Sequence, residues 1–150
     1  MDMTPPPGVK QKLVMVGNGM AGVRTLEELL KIAPDLYDIT VFGAEPHPNY
    51  NRILLSPVLA GEQTLDEIVL NDWAWYRDHG ITLHAGWTVI DVDRVRRVVH
   101  ARNAAGETLS AEYDRLLLAT GSNPFILPVP GNDLEGVIAY RDIADTQAMI

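Results

Sequence analysis

Four consecutive apolar residues, Leu13-Val14-Met15-Val16, run directly into Gly17, and there the periodicity changes. A short unbroken apolar run closed by a glycine predicts a strand. From Met20 the apolar positions recur at Val23, Leu26, Leu29, Leu30 and Ile32, the stripe of an amphipathic helix over residues 20–33 that Pro34 stops. Asp38-Ile39-Thr40-Val41-Phe42 predicts a second strand. The chain therefore opens as strand, glycine turn, helix and strand, the order of a parallel βαβ unit.

Residues 44–62 lose all periodicity, and a connection of that length either carries function or holds short helices of its own. Asn71 or Asp72 caps a predicted helix through Asp78, with Gly80 as its stop, and residues 81–84 form a short strand leading back to the sheet. Three β-like runs follow at 88–93, 97–102 and 108–113, with Ala105-Gly106 as a turn signal between the last two, so a β-meander is expected. Residues 114–120, centred on Leu116-Leu117-Leu118, read as a buried parallel strand. After Pro124, Pro128 and Pro130, a strand at 137–140 and a helix capped by Asp142 are predicted, the helix still running at Ile150. That unfinished helix gives the expectation of a fragment. Residues 1–11, with three consecutive prolines, are expected to be a disordered leader.

The glycine turn carries the candidate chemistry. Gly17-Asn18-Gly19-Met20-Ala21-Gly22 matches the GxGxxG pattern in the strand–turn–helix setting that gives the pattern meaning. Gly17 serves the tight turn, Gly19 lets backbone approach a pyrophosphate, and Gly22 lets the helix lie close to the strand. The helix N-terminus offers N–H groups and a positive dipole end to the phosphates. Glu45, just past the second strand, is placed to accept hydrogen bonds from an adenosine ribose.

Composition removes several alternatives. A net charge of −8 with 12 scattered basic residues argues against nucleic acid or an anionic membrane surface as partner. Arg94, Arg96 and Arg97 are expected to be a solvated hairpin tip. There is no cysteine, hence no disulfide, thiolate-held cluster or redox-active thiol pair within these 150 residues. His47, His79, His84 and His100 lack metal-ligand spacing, and no metal ligands are expected. No apolar run reaches the roughly 18 residues of a membrane span, and a cytoplasmic location is expected. Trp73, Trp75 and Trp87 are read as packing residues, and no side chain is expected to act as acid, base or nucleophile.

The order βαβ, meander, then a strand ending in Ala119-Thr120-Gly121 resembles the FAD domain of flavoproteins with two dinucleotide-binding domains. The resemblance implies FAD rather than NAD at the glycine turn, with the small residues of the ATG segment lying against the cofactor. It also implies that the adenine edge pairs with backbone N–H and C=O at Val89. The expected fold class is thus α/β, a Rossmann-like FAD/NAD(P)-binding βαβ with a meander. An incomplete FAD domain is expected over 12–135, with 136–150 leading toward an NAD(P)-binding domain.

The segment after the second strand narrows the branch. Disulfide reductases place a Cys pair there, and this chain has none. Tyr50-x-Arg52-x-x-Leu55-Ser56 is similar to the rubredoxin and ferredoxin reductases, in which the Arg lies over the FAD pyrophosphate. Those proteins commonly carry Lys after the Ser, where this chain has Pro57. The whole run 42–62, with 71–80 and Leu118-Ala119-Thr120-Gly121-Ser122-Asn123-Pro124, most resembles the large subunit of NAD(P)H-dependent nitrite reductases, and the likeness extends over 12–150. It implies electron flow from NAD(P)H through FAD to iron–sulfur and siroheme centres, with nitrite reduced to ammonia. The implied partners are NAD(P)H, downstream domains, a small subunit and a further copy of the chain. A smaller NADH-dependent rubredoxin or ferredoxin reductase and a non-catalytic nucleotide-binding module stay open as alternatives.

Overall fold

The computed structural model describes residues 6–150. Its main sheet is built around β1 (Gln11–Val16), flanked on one side by β2 (Tyr37–Gly43) and on the other by β7 (Arg115–Leu118), with β3 (Thr82–Ala85) beyond β2. All pairings in it are parallel: Leu13 lies opposite Ile39 on one side and Arg115 on the other. The connection from β1 to β2 is α1 (Met20–Ile32), whose buried stripe is Gly22, Val23 and Leu26. The second sheet, β4 (Trp87–Asp93), β5 (Val98–Asn103) and β6 (Thr108–Glu112), is the antiparallel meander. Among the described residues three shorter α-helices follow: α2 (Leu55–Leu59), α3 (Trp73–Asp78) and α4 (Ile143–Met149).

The alternation along β1 explains why its sequence is apolar throughout. Leu13 and Met15 face α1 and α3, joining Val23, Leu26, Ile39, Val41, Tyr76 and Ile81. Val14 and Val16 face the other way and pack with Phe42, Val99 and Ala101, the last two from the meander. A strand with a helix on one face and a sheet on the other has no polar side to present. Leu26, fully buried, contributes about 1.5–3 kcal/mol through the apolar surface it removes from water. A third cluster, Tyr50, Leu55, Val58, Ile68 and Ile143, gives the aperiodic stretch and α4 a small core of their own.

Several expectations change. The first strand begins at Gln11, whose N–H bonds to the Leu36 carbonyl at 3.0 Å, so the sheet claims a residue assigned to the leader. Residues 1–5 of that leader lie outside the described residues, and 6–10 are exposed. The stretch 44–62 holds a 3-10 turn at Arg52–Leu54 and then α2. Asp72, not Asn71, caps α3, accepting from the Trp75 N–H at 2.8 Å. β7 is parallel as expected but not buried: among the described residues it pairs only with β1, and Leu118 is 62% exposed. Residues 137–140 form no strand, since no neighbouring strand lies beside them to accept their backbone bonds, and Val137 and Ile138 are exposed. Trp75 and Trp87 pack against the two main clusters, whereas Trp73 is largely exposed.

Candidate functional site

Parallel strands deliver their C-terminal ends to one edge, and here three of them converge. The Gly17 N–H donates to the Phe42 carbonyl at the end of β2, and the Ala119 N–H donates to the Val16 carbonyl at the end of β1, both at 2.8 Å. The glycine turn and the Ala119-Thr120-Gly121 segment thereby meet. Gly17 has φ +105°, and a Cβ there would collide with the backbone of Ala119. Gly17 is therefore fixed twice, by a left-handed backbone and by the approach of the ATG segment.

The other two glycines separate in role. A Cβ on Gly22 would come within 2.9 Å of Met15 Sδ and 3.0 Å of Ala119 Cβ, so this glycine brings α1 down onto β1 and the end of β7. A Cβ on Gly19 would meet nothing within 4 Å. That position opens outward at the head of α1, where a ligand backbone can approach. Gly19 is the N-cap in extended conformation, no side chain caps the helix, and its first turn, which begins with Met20 and Ala21, carries no acidic residue. The uncompensated N–H groups and the positive end of the helix dipole suit an anion.

Asn18 is spent on the protein rather than exposed to a ligand. Its Oδ1 accepts from the Tyr76 hydroxyl at 2.7 Å, and its Nδ2 donates to the His47 carbonyl at 3.3 Å. Its Cβ lies where a side chain on Gly43 would come within 2.8 Å.

Glu45 and Arg52, expected to act separately on ribose and pyrophosphate, are joined. Arg52 Nη2 lies 2.6 Å from Glu45 Oε1, and the Tyr50 hydroxyl donates to Glu45 Oε2 at 2.6 Å. Arg52 Nη1 donates to the Arg141 carbonyl at 2.8 Å, and its guanidinium sits 5.0 Å from the centre of the Tyr50 ring. Burial alone would weaken the charge on Arg52, but the hydrogen bond and charge of Glu45 outweigh it and raise the guanidinium pKa. Burial, reinforced by the Glu45 hydrogen bond, pushes the Tyr50 hydroxyl far above its ordinary value and keeps it a donor. A guanidinium has five N–H donors and a carboxylate about four lone-pair positions, so both groups keep capacity for a further partner.

Val89 lies on β4 opposite Ala101, its side chain packed into the cluster around Val14 and Phe42. The register shifts between Val89 and Asp91, so the ladder breaks beside that residue. Thr120 is exposed, and Gly121 follows with φ +71° near the Arg141 side chain. No group of three His, Asp or Glu side chains among the described residues is placed to hold a metal ion. None of the described helices is long and apolar enough to cross a membrane.

Sequence reasoning gave no role in holding the site to Tyr50, Asn49, Asn71 or Tyr76, whose hydrogen bonds tie Glu45, Asn18 and α1 together. Asn49 and Asn71 are 3% and 4% exposed, and Asn49 Nδ2 donates to Asn71 Oδ1 at 2.9 Å. Polar residues in an aperiodic stretch carry no signal that they will be buried. A cap at Asn71 or Asp72 was legible there, and the structure gives it to Asp72.

The match to known proteins is extensive. The family described as pyridine nucleotide-disulphide oxidoreductase matches residues 11–150. A nitrite reductase [NAD(P)H] of Bacillus subtilis (strain 168) is 55% identical over 141 residues, which are 94% of this chain and 17% of that protein. An assimilatory nitrate reductase electron transfer subunit of the same organism is 54% identical, over 94% of this chain and 18% of its own length. The chain thus spans less than a fifth of these relatives. Among solved structures, the water-forming NADH oxidase from Lactobacillus brevis superposes with a TM-score of 0.83 at 20% identity, over 93% of this chain and 31% of that one. That likeness bears on fold alone.

Proposed function

The chain belongs to the pyridine nucleotide-disulphide oxidoreductase family, and on that premise we propose that it holds the ADP half of FAD in an NAD(P)H-dependent oxidoreductase. The observation that carries the reading is the closure of the glycine turn on the ATG segment: Gly17 is pressed against Ala119 while Gly19 stays open. The residues fit the group. An uncapped helix N-terminus suits the pyrophosphate, and Glu45, just past the end of β2, suits a ribose diol.

In this reading Gly17, Asn18, Gly19, Met20, Ala21 and Gly22 form the pyrophosphate turn, and Ala119, Thr120 and Gly121 form the facing wall. Arg52 neutralises phosphate charge with the donors Glu45 and Arg141 leave free. Glu45 accepts from the ribose hydroxyls with its remaining lone pairs, and the backbone at Val89 meets the adenine edge. Bound FAD supplies the capacity to accept a hydride from NAD(P)H and pass electrons onward; the chain's own residues bind, orient and exclude water. Residues 12–135 are the first segment of the FAD domain, and 136–150 lead toward an NAD(P)-binding domain.

For the whole protein, the relative at 55% identity, a nitrite reductase [NAD(P)H], supports nitrite as the electron acceptor, and the family resemblance implies iron–sulfur and siroheme centres on the way and ammonia as the product. A second reading rests on the relative at 54% identity: electron transfer to a nitrate-reducing partner. Both readings share the FAD step. Extraction of cofactors from the full-length protein tests them: flavin with siroheme supports the first, flavin without siroheme the second. A preparation that contains no flavin and takes up none on reconstitution would defeat both.

A further inference from the structure

The structure contains a largely buried polar chain whose members beyond Asn18 have no part in the nucleotide-binding reading. It starts at Asn18, inside the glycine turn, and passes to the Tyr76 hydroxyl of α3 at 2.7 Å. That hydroxyl in turn accepts from the Asn49 backbone N–H at 3.2 Å. Asn49 Nδ2 donates to Asn71 Oδ1, and Asn71 Nδ2 donates to Glu27 Oε1, both at 2.9 Å. Glu27 lies on α1, the helix that the glycine turn opens. The chain is therefore a loop in space: it leaves the turn before α1 and returns to α1 two turns later.

Its members come from segments that share no backbone ladder with the turn. Tyr76 is 2% exposed and sits in the main core with Met15, Val23 and Leu26. Its hydroxyl is the only polar part of a side chain otherwise given over to packing, and the partner it donates to is Asn18. On the far side of Asn18, Gly43 gives way to its Cβ and the His47 carbonyl takes its Nδ2. A short side chain bound from both ends cannot change rotamer without losing both bonds. Because the side chain is fixed, so is the backbone between Gly17, whose N–H is held by the Phe42 carbonyl, and Gly19, the open head of α1.

We infer that Tyr76 is a positioning residue for the phosphate-binding turn: through its hydroxyl it holds Asn18, and Asn18 holds the backbone that approaches the pyrophosphate. The inference rests on the reading that this turn binds the ADP half of FAD. A buried tyrosine hydroxyl with one donor and one acceptor contact is matched fully by the protein, and a phenylalanine would leave the turn correct in shape but unheld. Binding then has to fix the turn at its own expense, which weakens affinity without removing any ligand contact.

The test is a double-mutant cycle on the full-length protein, with FAD as the titrant. Tyr76→Phe is expected to weaken FAD binding about tenfold, or about 1.4 kcal/mol. In an Asn18→Ala background the same Tyr76→Phe change is expected to alter FAD binding less than about twofold, since the hydroxyl has no turn left to hold. Equal losses in both backgrounds would overturn the inference, because they would mean that the hydroxyl acts on the general stability of the core. So would unchanged FAD affinity in Tyr76→Phe while the wild type binds FAD normally. Failure of the wild type itself to bind FAD would instead defeat the underlying nucleotide reading. Should Tyr76→Phe not fold, Asn18→Ala alone decides: an FAD dissociation constant about tenfold higher supports the positioning role, and an unchanged one removes it.

Discussion

Gly17 and Ala119 touch backbone to backbone, and no other residue type could stand at Gly17 without moving the ATG segment. The contact joins the end of the first strand to the end of one that forms after most of the chain has passed, and it brings two glycine-containing segments together at the C-terminal edge of the parallel sheet. The predictions below follow from that junction and from the side chains around it.

Gly17→Ala and Gly19→Ala should behave oppositely, although both belong to the same motif. The first puts a methyl group into the Ala119 backbone at φ +105° and should destabilise the fold by about 2 kcal/mol or more. The second meets no atom within 4 Å and should change stability by about 1 kcal/mol at most, while reducing FAD affinity by about tenfold. Chemical denaturation and FAD titration on the same preparations check both halves. Equal stability losses would show that Gly19 is not open.

Arg52→Ala should raise the FAD dissociation constant about tenfold or more, through loss of a charge-assisted phosphate contact. Arg52→Lys should recover only part of the loss, because an ammonium cannot reach Glu45, the Arg141 carbonyl and a phosphate together. An FAD affinity unaffected by either change would leave Arg52 as a tie between two loops and nothing more.

Glu45→Ala should lower FAD affinity and also destabilise the protein, by about 1–3 kcal/mol, because it strips Arg52 and the Tyr50 hydroxyl of their shared acceptor. From sequence alone Glu45 is an acid just past the second strand, placed for a ribose; the structure also makes it a joint between Arg52 and Tyr50. Glu45→Gln keeps an acceptor oxygen and should lose affinity with less loss of stability. Thermal unfolding of the two variants side by side separates the effects.

Stability should fall at alkaline pH. Burial raises the hydroxyl pKa of both Tyr50 and Tyr76, so each stays protonated in the folded protein after its unfolded counterpart has begun to ionise. Their contribution is fully present below the unfolded value of about 10 and is lost as pH rises from there toward the folded values. Tyr50→Phe and Tyr76→Phe should each flatten the decline measured by denaturation between about pH 9 and 11. An unchanged slope in both would mean that neither hydroxyl is held as the structure places it.

The isolated 150-residue chain should self-associate. β7 leaves one edge without a strand among the described residues, and Leu118, Phe125 and Leu127 are 62%, 79% and 62% exposed. An open edge beside exposed apolar side chains is a template for another chain. Leu118→Lys should shift sedimentation toward monomer, and a chain that is already monomeric at high concentration would count against the reading.

What the sequence made legible was whatever has a period or a fixed local geometry. The apolar run of β1, the stripe of α1 and the glycine turn are local patterns, and each lies close to where the pattern put it. The three glycines differ in the space each leaves: a Cβ would collide at Gly17 and Gly22 and meet nothing within 4 Å at Gly19. The pairing of Glu45 with Arg52 was not legible, because nothing in a spacing of seven aperiodic residues says whether two charges turn toward each other. Asn49, Asn71 and Tyr76 were hidden for a related reason: their burial is decided by segments that approach only in the folded chain. Leu116-Leu117-Leu118 looked like a covered strand because apolar runs usually are, yet coverage belongs to neighbours and not to the run itself.

The placement of β1 between β2 and β7 also fixes an order of events during synthesis. β2 follows β1 within one helix, so that pairing can form as soon as residues 37–43 leave the ribosome. The other edge of β1 waits for Arg115–Leu118, and at about 5–20 residues per second that wait is on the order of several seconds. Throughout it Leu13-Val14-Met15-Val16 offers an unpaired apolar edge to the cell. The nascent chain is therefore most in need of protection in its middle third, before β7 emerges, and a chaperone that binds extended apolar strands would find its target there.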